Sequence, residues 1–276
     1  MSTATLARPA SAKSIGFTNI LLSEWTKLRT VRSTYWTAIA AFMLSLFATG
    51  MSTYNTMREI NHGFRPVGSV GDPANDTLLG LYIGAVLFGV LGVLAVSSEY
   101  GTGMIRAALT AVPQRRTFLI AKGTVLALAA LVLGELLSFA SFFLGQAFLN
   151  HAGVGLHLSS PHVVRAVIGG GLYLTAFAMI GYGFGALVRR TAGGLSAFFL
   201  VIFALNPITD LLPTAWRNDI MPYLPLNAGS QILTTVQQFS GPGPGPLSPW
   251  AGLGVLYLYA VVPIVAAVWL INHRDA

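Results

Sequence analysis

The chain has 276 residues, 54% of them hydrophobic and only 9% charged, at a mean hydropathy of +0.68. A water-soluble domain carries about 25% charged residues and must present a polar surface, so this composition excludes an ordinary soluble globule and points to an integral membrane protein. The absence of cysteine excludes disulfides, thiolate metal sites and cysteine nucleophiles, and the net charge of +7 is distributed in a way that fits orientation in a bilayer better than nucleic-acid binding.

Residues 1–13 read as a flexible basic tail; no apolar segment precedes "ASA" at 10–12, so no cleavable signal peptide is expected. Residues 14–34 are amphipathic. Phe17, Leu21, Trp25 and Leu28 recur at helical spacing, while Asn19, Ser23, Thr26, Lys27 and Arg29 take the other faces. Such an elbow helix would lie in the membrane interface, with Lys27, Arg29 and Arg32 at the lipid head groups.

A helix needs roughly 20 apolar residues to cross the hydrocarbon core, and six stretches qualify: 35–54, 78–97, 118–148, 163–188, 194–212 and 250–271. The fold class is therefore an all-α membrane protein, a single domain over 14–276. Tyr35 and Tyr54 bracket the first span and Trp250 and Trp269 the last, each pair about 28 Å apart along a helix, which matches two interfacial belts. Gly80 with Gly84, and Gly181 with Gly185, are spaced to let helices approach closely.

With the N-terminus inside, Arg8, Lys13, Lys27, Arg29, Arg32, Arg106, Arg115, Arg116, Lys122, Arg189, Arg190 and Arg274 are cytoplasmic; Arg58, Arg65, Arg165 and Arg217 are outside. That asymmetry sets both termini in the cytoplasm under the positive-inside rule. Between the last two spans, 207–249 carries too much proline for one helix, yet "LLPTAW" and "SQILTTVQQF" are too apolar for a solvated loop. Short re-entrant helices packed on protein suit it, with "GPGPGP" at 241–246 as a stiff spacer.

No metal-hydrolase, nucleophile-elbow or nucleotide-phosphate motif occurs in the sequence. His151, His157 and His162 cluster in a loop and read as solvated polar residues rather than a metal site, since neighbouring carboxylates are missing. Glu135 sits mid-span, where an ionised carboxylate is costly. Either it lines a transport path, or it is neutral or hydrogen-bonded for packing alone.

The stretch "SSEYGTGMIRAALTAVPQRR" at 98–117 interrupts two apolar runs. Thr102 is a candidate N-cap flanked by Gly101 and Gly103; "MIRAALTAV", containing Met104, Ile105, Arg106 and Leu109, gives two helical turns; and Pro113 ends them. Arg115 and Arg116 anchor the return at the membrane surface. This short helix is either a lever gripped by a partner, with Glu99 offering a charge to it, or an ordinary interfacial connector.

The order of "LLSEWTKLRTVRSTYW", "SSEYGTGMIRAALTAVPQRRTFLIAK" and "YLPLNAGSQI" along a six-span chain resembles the membrane subunit of ABC-2 type (type V) ATP-binding-cassette exporters, in wording most similar to small actinobacterial members. The resemblance implies that Glu99, Gly101, Thr102, Leu109, Pro113, Arg115 and Arg116, with Lys122 opening the next span, belong to a coupling helix that seats in a separate ATP-binding subunit. It implies an elbow helix carrying Trp25, Lys27, Leu28, Arg29 and Arg32, and a second permease copy or related chain in a two-plus-two assembly. The chain would itself bind no cofactor and be no enzyme; ATP and Mg would sit on the partner. The resemblance implies export of a small amphipathic molecule, drug or lipid across a bacterial plasma membrane. The alternative is a stand-alone secondary transporter or channel using Glu135 for proton coupling.

Overall fold

Long apolar segments can satisfy their backbone groups away from water only by coiling into helices, and each span of the computed structural model does so. The structure describes residues 16–101, 115–236 and 245–270. The elements are α1 (Phe17–Thr30), α2 (Arg32–Asn61), α3 (Pro73–Leu78), α4 (Gly80–Gly101), α5 (Arg115–His151), α6 (Val163–Val188), α7 (Thr191–Phe199), α8 (Leu205–Asp210), α9 (Thr214–Ile220), α10 (Pro225–Ser230) and α11 (Pro249–Leu270). Six helical stretches are long and apolar enough to cross a membrane, at Thr34–Asn61, Pro73–Gly101, Arg116–His151, Val163–Val188, Thr191–Thr209 and Pro249–Leu270.

Several ends differ from the sequence expectation. The elbow stops at Thr30 because Val31 is extended, so Arg32 opens the first span and does not belong to the elbow. That span runs on past Tyr54 to Asn61, since its late threonines are satisfied nearby: Thr53 donates to the Thr49 carbonyl and Thr56 to Asp76. The second span gains a lead-in helix, α3, whose N-terminus is capped by Asp72 and primed by Pro73. The fifth span contains a π-turn at Leu200–Ala204, just ahead of Pro207. A wide turn accommodates a ring that would otherwise clash with the carbonyl four residues back.

The central helix is α6, buried along most of its length and packed on α4, α5 and α11. The α4–α6 crossing is tight because glycines meet there: a methyl on Gly181 would collide with the Gly89 carbonyl, and one on Gly92 with that of Ala178. Gly80 likewise abuts the Ser45 backbone of α2. Between the fifth and sixth spans, α10 and the turn at Gln231–Leu233 fold back against α11 and α6, burying Ala228, Ile232 and Leu233. Asp72 fastens this end of the bundle, accepting hydrogen bonds from Thr235 N and Oγ1, both at 2.6 Å, and from Val236 N at 3.1 Å.

Candidate functional site

The two helices that flank residues 102–114 are α4, ending at Gly101, and α5, beginning at Arg115. Where they emerge, α1 lies across them, and four charged side chains meet. Glu24 and Lys27 are one turn apart on α1 and so share a face. Glu99 comes from the last turn of α4, and Lys122 from about two turns into α5.

Lys122 Nζ donates to Glu24 Oε2 at 2.6 Å and to Glu99 Oε1 at 2.9 Å. Lys27 Nζ donates to Glu24 Oε1 at 2.6 Å and reaches Glu99 Oε1 at 3.4 Å. Glu24, Glu99 and Lys122 are only 2%, 7% and 6% exposed. Two carboxylates and two ammonium groups cancel, which is how burial of such charges is tolerated. Both ammonium groups also lie over the Phe118 ring, at 5.3 and 5.7 Å from its centre. Burial alone would lower the Lys27 pKa. The hydrogen bond to Glu24 and the charges of Glu99 and Glu24 outweigh it, so Lys27 titrates above an ordinary lysine.

The surrounding helices brace this junction. Tyr182 of α6 donates to the Leu119 carbonyl of α5 at 2.6 Å, and Thr191 of α7 to Ser97 Oγ of α4 at 3.0 Å. A cavity of about 270 Å³ opens beside the cluster, lined also by Thr34, Leu91 and Ser98. Glu99 Oε2 is buried and finds no hydrogen-bond partner among the described residues.

Two expectations are corrected by this geometry. Glu99 does not present a free carboxylate outward: it is buried and engaged by two lysines of its own chain. Lys27 does not point to lipid head groups but inward to Glu24 and Glu99. Burying either glutamate alone would be costly, and a lysine of the same chain is the nearest compensation. Trp25 and Arg29 are exposed, and Leu28 is half-buried. Gly101 is exposed at the end of α4, Arg115 opens α5, and Arg116 is exposed. Thr102, Met104, Ile105, Arg106, Leu109 and Pro113 lie outside the described residues.

Glu135 lies midway along α5 with its carboxyl against Gly171 of α6, where an added methyl would strike it. Its Oε2 is buried and accepts no hydrogen bond among the described residues. The sequence reading missed Glu24. It is the sole acidic residue before Glu59 and stands three residues ahead of a lysine, a signal that could have marked it.

No curated protein matches the chain. Residues 20–222 match a family model described as ABC-2 family transporter protein, a match that takes in most of α1, the ion cluster and the first five spans. The family supplies the transmembrane component of ABC transporters, not the ATPase. With six helices fit to span a membrane and most of its length within that match, the chain belongs to the ABC-2 transporter family as a membrane permease.

Proposed function

We propose that this permease serves an ATP-driven exporter, with residues 102–114 as the seat of a separate ATP-binding subunit on the cytoplasmic side. The observation that supports this reading is the ion cluster: Glu24, Lys27, Glu99 and Lys122 bind α1 to both stems of that segment. A displacement applied at 102–114 therefore moves α4 and α5 together and carries α1 with them. Through Tyr182 and Thr191 it reaches α6 and α7 as well. ATP and Mg belong to the partner subunit, and two permease chains with two ATPase subunits make the working assembly. Both termini are then cytoplasmic in a bacterial plasma membrane, and the cargo is a small amphipathic molecule, drug or lipid.

Because Glu99 is committed to the internal cluster, docking is tested on the segment itself. The ATP-binding subunit co-purifies with the wild-type chain and is lost from an Arg106→Glu, Leu109→Glu double variant whose helicity is unchanged. Retention of the subunit by that variant, with ATP-driven transport intact, overturns the proposal. A second reading, the stand-alone transporter, is favoured by the buried Glu135 oxygen, which has no hydrogen-bond partner among the described residues. Transport by the isolated chain without ATP, abolished in Glu135→Gln, selects it.

A further inference from the structure

A groove of about 860 Å³ runs between α1, α2 and α5, sharing Leu28 and Thr34 with the smaller cavity beside the ion cluster. Leu21, Trp25 and Leu28 form its floor at the α1 end, and α2 and α5 supply walls such as Ile39, Met43, Leu128 and Val132. Met43, Leu128 and Val132 are 65%, 59% and 60% exposed, so none of the described residues covers them. Among the described residues, Arg29 is the one charged residue lining the groove. It pairs with no carboxylate among the described residues, whereas the other basic residue of that turn, Lys27, is consumed by the ion cluster.

We propose that this groove holds an anionic phospholipid of the leaflet in which α1 lies, its acyl chains against Met43, Leu128 and Val132 and its phosphate on Arg29. The depth fits one leaflet: Tyr35 to Met43 along α2 is about 12 Å, close to half of a hydrocarbon core about 30 Å thick. The polar markers also fall in order. Arg29, Trp25 and Tyr35 lie at the α1 end, where head groups are, and the lining deeper along α2 and α5 is aliphatic and aromatic. Charge selects the occupant. Arg32, Arg116, Arg189 and Arg190 stand at the same end of the bundle, so a second copy of the chain meeting there would bring like charge, while a phosphate brings the opposite one. The site does not depend on the exporter reading, because it is built within one chain and needs no ATPase.

The test is native mass spectrometry of the full-length chain, delipidated in detergent and offered equal phosphatidylglycerol and phosphatidylcholine. Both lipids carry a phosphate, but only phosphatidylglycerol has net negative charge, and one cation at its head group gives about a fivefold preference over the zwitterionic lipid. Arg29→Gln, at an exposed position that leaves folding intact, removes that preference. Val132→Trp fills the groove and lowers retention of both lipids; size-exclusion and circular dichroism certify its fold. Free inorganic phosphate in excess leaves the bound lipid in place, since the chains hold it. An unchanged preference in Arg29→Gln overturns the proposal, as does displacement by free phosphate. So does lipid carried by monomers but absent from dimers, which would assign the groove to a second copy.

Discussion

Lys122 Nζ lies 2.6 Å from Glu24 Oε2, although the two residues stand 98 positions apart in the chain. Together with Glu99 the pair fixes the elbow helix to the start of α5 and the end of α4. A contact of this kind between buried ions is worth little as net stability, since desolvation offsets attraction, but it is severe when half-removed. Its value is positional.

Lys122→Met leaves two buried carboxylates sharing Lys27 alone, one negative charge uncompensated, and is expected to cost about 3–5 kcal/mol. Thermal unfolding in micelles measures it. Glu24→Gln on its own costs less, and the Glu24→Gln, Lys122→Met double variant loses less than the sum, because the two act through one network. Strict additivity would show that the cluster is not a unit.

The Lys27 charge contributes docking energy that is complete below the ordinary lysine pKa and disappears as pH rises through its higher folded value. Paired spin labels at Thr26 on α1 and Ile120 on α5 should therefore report an unchanged distance from about pH 7 to about pH 10, with broadening only above the usual lysine value of about 10.4. Lys27→Met removes that alkaline step. Broadening already near neutral pH contradicts the assignment.

Gly181→Val puts a side chain into the Gly89 backbone, which cannot retreat without separating α4 from α6. Overpacking of this kind costs about 1–3 kcal/mol or more, and folded yield should fall accordingly. Gly254→Ala on α11 meets open space and should leave yield unchanged.

Asp72→Ala removes the α3 cap, about 1 kcal/mol by itself, along with the three bonds to Thr235 and Val236. Hydrogen exchange should quicken in 73–78 and in 231–236 together. Faster exchange in α3 alone would mean that the tie to Thr235 contributes nothing.

The spans were legible because the bilayer makes a local demand: each crossing segment must be apolar and must satisfy its own backbone. The fourth span ends where the sequence puts it, at 163–188. The misses occur where a neighbour changes the terms. Arg32 left the elbow because the chain turns at Val31, and the first span outran its apolar run because Thr53 and Thr56 found acceptors on α2 and α3. Periodicity located the elbow yet could not say which face turns inward. The apolar stripe of Phe17 and Trp25 remains exposed, and the face that packs against the protein carries Ile20 and Glu24.

The sequence by itself determined that this is a helical membrane protein, where most of its spans begin and end, and that a polar segment at 98–117 divides two of them. Only the tertiary structure decided that Glu24, Lys27, Glu99 and Lys122 share one buried cluster, and that Glu99 is spoken for inside the chain. The physical reason is that lipid solvates apolar side chains as well as protein does, so inside a membrane the hydrophobic pattern does not choose the packed face. Charges do choose it, by needing each other, and their partners lie at sequence distances that no periodicity records.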